Sequence, residues 1–284
     1  EYQRLRFQEV SEATQKKHRS CLNNLKSFQS NLTFDQLTTD FFRRFVLFLR
    51  NKRGNSEVTI NKTIRIIAIY VNEAIKKEII KESPIKYLKL RGAEETTAEA
   101  LEEQELKELV SIYHKHIFTG TTHDVLEFFL FMCFSSLHIS DARSLQIDQI
   151  GKDEFWYMRR KMINIRPRVV RVPISEPLRQ IINHKRKNRK SGVLWDDMIA
   201  DQKVNEKLKQ IASVAGIKKE LSAKFGRHTF ATIFLRRTRD INTLKNIMGH
   251  SNIKQTLVYA HVLDQDRQLG IKVFDSFYEE KDHK

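Results

Sequence analysis

The sequence predicts a mainly α protein with two parts, an N-terminal α-helical bundle and a larger, mostly α domain that contains a small β-sheet. A length of 284 residues suits one large domain or two ordinary ones. The chain has 9 Gly and 4 Pro, too few for a turn-rich all-β protein. Apolar residues recur at spacings of three and four through most of the chain, which is the pattern of amphipathic helices.

The N-terminal part is predicted to contain three helices after a leader, residues 1–10, of uncertain structure. The first begins near Thr14 and buries Leu22, Leu25, Phe28 and Leu32. The second is capped by Thr39 or Asp40 and ends at Gly54 and Asn55; it buries Phe42, Phe45, Val46 and Leu49. The third buries Ile60, Ile64, Ile67 and Val71, and Pro84 ends the pattern.

A change in composition separates the two predicted domains. The stretch "RGAEETTAEALEEQE" is acidic and has no core pattern until Leu101, so residues 88–98 are interpreted as a linker. The predicted domains are therefore residues 1–90 and residues 91–284.

The second domain is predicted to be helical around one β unit. "LEEQELKELVSIYHKH" is amphipathic, and the nearly all-apolar "HDVLEFFLFMCFSSL" predicts a buried central helix. "EFWYMRRKM" and "RVVRVPI" form the β unit around a basic turn. Five further helical segments follow: "EPLRQIINHKRKNRK", "VNEKLKQIASVAGI", "RHTFATIFLRRT", "INTLKNIMGH" and "IKQTLVYAHV".

The charge of the chain indicates an anionic partner. The formal net charge is +16, and basic residues cluster on the polar faces of the N-terminal helices and in the run "HKRKNRK". Clustering favours nucleic acid over a merely basic soluble surface. The basic residues of the N-terminal bundle are Lys16, Lys17, Arg19, Arg43, Arg44, Arg50, Lys52, Arg53, Lys62 and Arg65.

Cysteine usage and hydropathy suggest a cytoplasmic protein. Cys21 and Cys133 lie far apart and form no disulfide or zinc pattern, which fits a reducing compartment. Cys133 lies in "FFLFMCF", a run too short to span a membrane, and is interpreted as a core residue. No signal peptide is recognised, and no membrane partner is expected.

The second domain contains the residue types that metal-independent phosphodiester chemistry requires. Such chemistry needs a nucleophile, cationic donors for the non-bridging phosphate oxygens and a general acid for the leaving oxygen. Four elements of this kind follow one another along the chain: a lysine on the β unit, then "LSAKFGRHTFAT", "MGH" and "YAH". Arginine suits the donor role because its fork matches two phosphate oxygens.

This order of motifs resembles the tyrosine recombinase (phage integrase) family, specifically the integrases of conjugative and mobilizable transposons. The resemblance covers nearly the whole chain and is most specific in "RHTFAT" and "LKNIMGHSNIKQTLVYAHV". It implies a core-binding (SAM-like) DNA-binding domain at 1–90 and a catalytic domain at 91–284. The implied activity is site-specific recombination of DNA through a 3′-phosphotyrosine intermediate.

The resemblance also implies partners and conditions. Family members act as tetramers on two paired duplex sites, need neither a metal nor a nucleotide cofactor, and in some cases use an accessory DNA-bending protein. The implied location is the bacterial cytoplasm, at the nucleoid.

The resemblance assigns roles to four residues. Tyr259 would attack the phosphate, Arg227 would hold its non-bridging oxygens, His250 would hydrogen-bond it and Lys161 would protonate the leaving 5′ oxygen. From the residues alone, Tyr259 reads as a packed aromatic, Arg227 as a surface arginine and His250 as a helix-end histidine. Lys161 shares its strand with other basic residues, Arg159 and Arg160, which read as phosphate-facing charge.

Two positions depart from the family pattern. His138 stands where the family has arginine, and Lys224 stands where it has histidine. A neutral histidine is a weaker phosphate clamp than arginine, and lysine is a poor base unless its pKa is lowered. Both residues remain candidates for catalysis or for packing. Arg143 lies five helical residues from His138, roughly 140° around the helix, and is expected to point elsewhere.

Two alternative functions follow. One is a DNA-binding protein that keeps the recombinase fold with impaired catalysis, which the residues at positions 138 and 224 motivate. The other is a topoisomerase-like or unrelated DNA protein.

Several other residues receive structural interpretations. His228 is assigned to structure because Arg227 occupies the motif position, and His261 to capping a helix end. Asp196 and Asp197 are interpreted as a helix start rather than a metal site. The C-terminal apolar residues would pack on a neighbouring protomer or on their own domain; they are Ile271, Val273, Phe274 and Phe277.

Overall fold

The computed structural model describes residues 2–92, 99–159 and 167–260. The chain divides into two compact units, Glu1–Thr96 and Thr97–Lys284. Lys161, His261 and the C-terminal apolar segment lie outside the described residues, so the predictions made for them stay predictions. No helix in the described ranges is long and apolar enough to cross a membrane.

The N-terminal unit is a helical bundle built on a phenylalanine-rich core. Its helices are α1 (Tyr2–Glu9), α2 (Glu12–Phe28), α3 (Thr39–Asn51) and α4 (Glu57–Lys76), with a short 3₁₀ helix at Phe34–Gln36. The side chains predicted to be inside α3 and α4 are buried. They form one cluster, which contains Phe41, Phe42, Phe45, Val46, Leu49, Ile60, Ile64, Ile67 and Val71.

The helix starts differ from the predictions. The leader is helical, because Tyr2 packs edge-on against Tyr70 of α4 and holds α1 to the bundle. Helix α2 begins after Ser11, two residues before the predicted start near Thr14. Helix α3 is capped by Thr38, whose hydroxyl accepts from the Phe41 N–H at 3.1 Å. An N-cap side chain accepts from the amide two or three residues along the chain, and Thr38 meets this condition.

The C-terminal unit is organised around its most apolar helix. Its helices are α5 (Glu103–His114), α6 (Gly120–Ser135), α7 (Ile139–Ala142), α8 (Glu176–Arg186), α9 (Asp201–Val214), α10 (Ala223–Thr238) and α11 (Ile241–Ile247). Helix α6 contacts α5, α8, α9 and α10, which explains why it is apolar on every side. The predicted buried central helix is confirmed, and Cys133 is a core residue in it.

The predicted β unit is an antiparallel pair. Strand β1 (Glu154–Met158) pairs with β2 (Val169–Pro173), with Trp156 opposite Arg171. Alternate side chains of the two strands are buried, which fits a sheet that covers the core with one face.

Two local predictions are wrong. The segment predicted as a helix around Tyr259 contains two 3₁₀ helices, Ile253–Gln255 and Leu257–Tyr259. Asp196 and Asp197 do not start a helix, since α9 begins at Asp201. These two carboxylates instead accept from Arg189 at 2.9 Å and from Lys185 at 2.7 Å. Part of the "HKRKNRK" charge is therefore neutralised within the unit.

Candidate active site

Two glycines bring the candidate residues together in the C-terminal unit. At Gly226 of α10, a Cβ atom would lie 2.8 Å from the Cβ of a methionine on α6. At Gly249, after α11, φ is +63° and a Cβ atom would lie 2.5 Å from Val170 of β2. Glycine permits the close approach at both positions, and it permits the left-handed backbone at Gly249. Arg227 and His250 each follow one of these glycines.

The guanidinium of Arg227 is buried and held in one orientation. Nη1 donates to the Ser136 carbonyl at 2.6 Å, and Nη2 donates to the Met248 carbonyl at 2.7 Å and to His250 Nε2 at 2.9 Å. Burial lowers the pKa of Arg227 from its ordinary value. The three hydrogen bonds use three of the five N–H donors of the group. The other two N–H donors of the group are not used by these three bonds.

The contacts of His250 fix the position of its proton. Arginine has no acceptor, so His250 Nε2 must accept from Arg227 and cannot carry hydrogen. The proton therefore lies on Nδ1, which donates to Thr256 Oγ1 at 2.9 Å. Burial, together with the positive charges of Arg227 and Arg159, lowers the pKa of His250 to about 3. The imidazole is neutral at pH 7.

Tyr259 lies in the core with its hydroxyl at a cavity. The side chain is 3% exposed and packs with residues of α10 and α11: Ala231, Leu235, Leu244 and Met248. Its hydroxyl lies 2.7 Å from His228 Nδ1. Burial raises the pKa of Tyr259 to about 12, against the opposing charge of Arg227. The phenol is therefore protonated at neutral pH.

One cavity of about 440 Å³ joins five of the six residues proposed from the sequence. Its lining includes His138, Lys224, Arg227, His228, His250 and Tyr259. Lys161 belongs to residues 160–166, outside the described part of the chain.

His138 caps a helix and retains a single donor. Its Nδ1 accepts from the Ser140 N–H at 3.3 Å at the start of α7. A neutral ring then carries its proton on Nε2. Although part of the side chain is exposed, desolvation lowers the pKa of His138, and the charges of Arg227 and Arg159 add to this effect.

Arg143 does not replace the missing arginine at position 138. Its Nε donates to Asp201 at 2.6 Å, and its Nη atoms donate to the carbonyls of Met198 and Ile199. These contacts use the guanidinium to join α7 to the start of α9, as its predicted direction on the helix suggested.

Arg159 is a neighbour of the site that the sequence did not distinguish from other basic residues. Its Nη1 donates to the Gly249 carbonyl at 3.1 Å, one residue along from the Met248 carbonyl that binds Arg227. Its charge contributes to the lowered pKa of both His138 and His250. The sequence signal was weak because Arg159 is one of several basic residues near that turn.

His228, for which the sequence predicts a structural role, contacts the hydroxyl of Tyr259 in the site. Burial, with the charges of Lys224, Arg227 and His138, lowers the pKa of His228 to about 4. Its ring is therefore neutral and touches the hydroxyl of the proposed nucleophile. Because the two residues are 31 positions apart, sequence spacing did not reveal this contact.

Some buried polar atoms beside Arg227 have no hydrogen-bond partner. In the part of the chain that the structure describes, they include Ser136 Oγ, Arg159 Nε and His228 Nε2. Each such atom costs roughly 1–3 kcal/mol, so native proteins keep few of them outside functional sites.

The cavity combines a phenol, a buried guanidinium and neutral imidazoles. A phenol is a nucleophile once deprotonated, and a fixed guanidinium stabilises anionic oxygens. Among residues 2–92, 99–159 and 167–260, no group of three or more His, Cys, Asp or Glu side chains is arranged to hold a metal ion. The arrangement suits transfer of a phosphoryl group to tyrosine.

Comparison with known protein families gives two adjoining matches. The model described as "Phage integrase SAM-like domain" matches residues 1–91, and the "Phage integrase family" model matches residues 99–266. The second match alone spans more than half of the chain.

Individual relatives are more distant. An integrase/recombinase of Escherichia coli is 38% identical over 74 residues, which is 26% of this chain and 22% of that protein. Tyrosine recombinase XerD of Oceanobacillus iheyensis is 21% identical over 85% of this chain and 83% of its own. The chain thus spans about a fifth of the length of the first of these relatives and most of the second.

Solved structures show the same fold. The Tn1549 transposon integrase, in complex with transposon right end DNA, matches with a TM-score of 0.72 and 18% identity. The match covers 94% of this chain and 95% of that one.

Proposed function

The chain belongs to the phage integrase family, and from that membership we propose that it is a site-specific tyrosine recombinase that cuts and rejoins DNA strands. The observation that carries this proposal is the meeting of Tyr259, Arg227 and His250 around one cavity. These residues come from three separate segments of the chain, so their convergence supports the motif assignment independently of spacing.

The reaction is two phosphoryl transfers that conserve the number of phosphoester bonds. The Tyr259 oxygen attacks the scissile phosphorus, a tyrosyl–phosphate bond forms, and the bond to the 5′ oxygen breaks. The phenol loses one proton and the leaving 5′ oxygen gains one. A 5′ hydroxyl of another strand then attacks the phosphotyrosine and releases Tyr259, so no external energy source is required.

Arg227 and His250 are proposed to bind the non-bridging oxygens of the phosphate. In the absence of DNA they hydrogen-bond each other. A phosphate that enters the cavity can accept from the remaining Arg227 donors and displace His250 Nε2. His250 would then take up a proton and donate to the phosphate, because an anion within hydrogen-bond reach raises the pKa of imidazole.

The remaining candidates are proposed to supply further donors and positive charge for the phosphate. His138 offers one donor, and Lys224 is an exposed cation at the cavity. Arg159 supplies a second guanidinium beside the site, which reduces the consequence of losing arginine at position 138. Lys161 stays the proposed general acid for the 5′ oxygen.

Double-stranded DNA is the proposed substrate of both units. Nine of the ten basic residues predicted on the N-terminal bundle are exposed. The tenth, Arg50, forms a half-buried ion pair with Glu57 at 2.6 Å. Exposed lysines and arginines bind phosphates without reading sequence. Residues 1–90 are proposed as the core-binding domain and 91–284 as the catalytic domain.

The assembly and location are proposed from the family. The proposed active form is a homotetramer on two paired sites that works at the bacterial nucleoid, and an accessory DNA-bending protein is a further proposed partner. The binding-only alternative gains no support from the site, since its nucleophile, its buried arginine and its histidine lie around a common cavity.

Covalent trapping tests the proposal. The protein is incubated with a nicked suicide duplex that carries the element's own end sequence, and products are separated on a denaturing gel. We expect a shifted band with the wild type and none with Tyr259→Phe. Tyr87→Phe is a matched control, because Tyr87 is exposed in the N-terminal unit. Tight binding without any band from the wild type would contradict the proposal.

A further inference from the structure

We propose that His228 is the general base that takes the phenolic proton of Tyr259 during strand cleavage. The inference rests on the proposed function, in which Tyr259 is the nucleophile. Its starting point is a contact: in the described part of the chain, His228 Nδ1 is the hydrogen-bond partner of the Tyr259 hydroxyl, at 2.7 Å.

The direction of this hydrogen bond follows from donor and acceptor counting. If Nδ1 carried the proton, the phenol hydrogen and the Nε2 lone pair would both lack a partner, because Nε2 is buried and unpaired. If the phenol donates to Nδ1, only the Nε2 hydrogen lacks one. The second arrangement leaves fewer polar groups without a protein partner and is therefore favoured. The phenol is the donor, and His228 Nδ1 is positioned to receive its proton.

The lowered pKa of His228 and the raised pKa of Tyr259 also indicate that the phenol is the donor in this hydrogen bond. With values of about 4 and about 12, the proton stays on the phenol at neutral pH. The phenol therefore needs a base before it can attack.

Bound DNA would bring the two pKa values closer. The charged groups that lower the pKa of His228 are cations: Lys224 and Arg227 on its own helix, and His138 when protonated at the start of α7. A phosphodiester in the cavity adds a negative charge among them, which raises the pKa of the imidazole and stabilises its protonated form. Arg227 meanwhile stabilises the developing phenolate charge.

The other nearby candidate is less well placed. Lys224 lies one helical turn before His228, and its side chain is exposed. In the described residues, the hydrogen bond of the Tyr259 hydroxyl is to the neutral imidazole of His228, which can accept a proton.

The proposed step balances. As Tyr259 Oη bonds to phosphorus, its proton moves to His228 Nδ1, and the P–O5′ bond breaks. The 5′ oxygen takes its proton from the separate general acid. During rejoining, the 5′ hydroxyl attacks, the tyrosyl–phosphate bond breaks, and His228 returns its proton to Tyr259.

The test is the pH dependence of adduct formation by His228→Asn. The amide oxygen of asparagine can occupy the place of Nδ1 and accept the hydrogen bond, but it is not a base. We expect a rate about 100-fold below wild type at pH 7, because general bases contribute at least that much. The variant rate should then rise about tenfold per pH unit to pH 9, as hydroxide replaces the lost base, while the wild-type rate changes little.

A duplex with a 5′-bridging phosphorothiolate distinguishes a general-base role of His228 from a general-acid role. Its sulfur leaves without a proton, so the His228→Asn deficit should persist on it. Disappearance of the deficit would assign His228 to the leaving group and overturn the proposal. A variant with the wild-type rate, or with a deficit that does not depend on pH, would also overturn it.

Nitrogen NMR of ¹⁵N-histidine-labelled wild-type protein needs no variant. We expect an unprotonated Nδ1 and a protonated Nε2 on His228 at pH 7, and a protonated Nδ1 would contradict the inference. A wild type that forms no adduct would defeat the proposed function itself. Normal wild-type cleavage with an unaffected His228→Asn would defeat only the role of His228.

Discussion

Arg227 Nη2 donates to His250 Nε2 across 2.9 Å, so the two residues proposed to hold the DNA phosphate hold each other before DNA binds. The contact fixes the His250 proton on Nδ1, where Thr256 Oγ1 accepts it. The orientation of the imidazole therefore depends on a threonine that does not line the cavity.

Replacement of Thr256 by valine should slow cleavage with little change in DNA affinity. Thr256 is fully buried, so Thr256→Val leaves the His250 Nδ1 hydrogen without an acceptor and loosens the ring. We expect about a tenfold lower rate of adduct formation, equivalent to about 1.4 kcal/mol. Thr256→Ser keeps the hydroxyl and should retain the wild-type rate. Equal rates for the valine and serine variants would show that the hydroxyl has no such role.

Arg159 and His138 are expected to be coupled. Arg159→Ala should lower the cleavage rate about 100-fold, as for loss of one donor to a developing charge. His138→Arg in that background should restore at least part of the loss, because it puts a guanidinium back beside the phosphate. Arg171→Ala is the control, since Arg171 lies on β2 and pairs with Glu154. The effects of the changes at positions 138 and 159 are compared as rates of adduct formation. Strictly additive effects would show that Arg159 does not take the role of an arginine at position 138.

The packing of α10 on α6 should tolerate no added methyl group at Gly226. The Cβ of alanine would lie 2.8 Å from the Cβ of Met132, so Gly226→Ala must move one helix. We expect a loss of about 1–3 kcal/mol in the free energy of unfolding, measured by urea denaturation. Gly92→Ala is the matched control, because nothing lies within 4 Å of its added Cβ. A Gly226→Ala protein as stable as this control would contradict the close contact.

The stability of the protein should fall as the pH drops below about 6.5. His228 and His250 have pKa values lowered from 6.5 to about 4 and about 3. Below 6.5 the unfolded chain binds protons that the folded protein does not, so the stabilisation is full above that pH and is lost towards pH 4. Each histidine contributes at most about 1.4 kcal/mol per pH unit.

Comparison with a variant isolates one of these histidines. His228→Asn should show a shallower decline of the free energy of unfolding between pH 6.5 and pH 4.5 than the wild type. Parallel curves for the two proteins would mean that His228 is not buried in its neutral form.

Local sequence patterns predicted the helices and five residues that line the candidate site, but not the contacts between distant segments. Ile60, Ile64, Ile67 and Val71 repeat with the helical period, which is enough to predict a buried face. Arg159 reaches Gly249 across 90 positions, and its role depends on how β1 packs against the turn after α11. No local pattern records such a contact.

The errors have the same origin. The segment that contains Tyr259 has helical spacing, yet it forms two 3₁₀ helices, and the Tyr259 side chain packs on α10 and α11. Asp196 and Asp197 have the composition of a helix start. Instead, Asp196 accepts from Arg189, and Asp197 accepts from Lys185. Tertiary contacts outweighed local preference in each case.

Identification of the modified residue in the covalent adduct tests the central claim most directly. Cleavage after Lys254 and Arg267 gives the peptide Gln255–Arg267, in which Tyr259 is the one tyrosine. After nuclease and trypsin digestion of the wild-type adduct, fragmentation mass spectrometry should place a 3′-linked nucleotide on Tyr259. A nucleotide on Thr256, on another peptide, or on none would contradict the account.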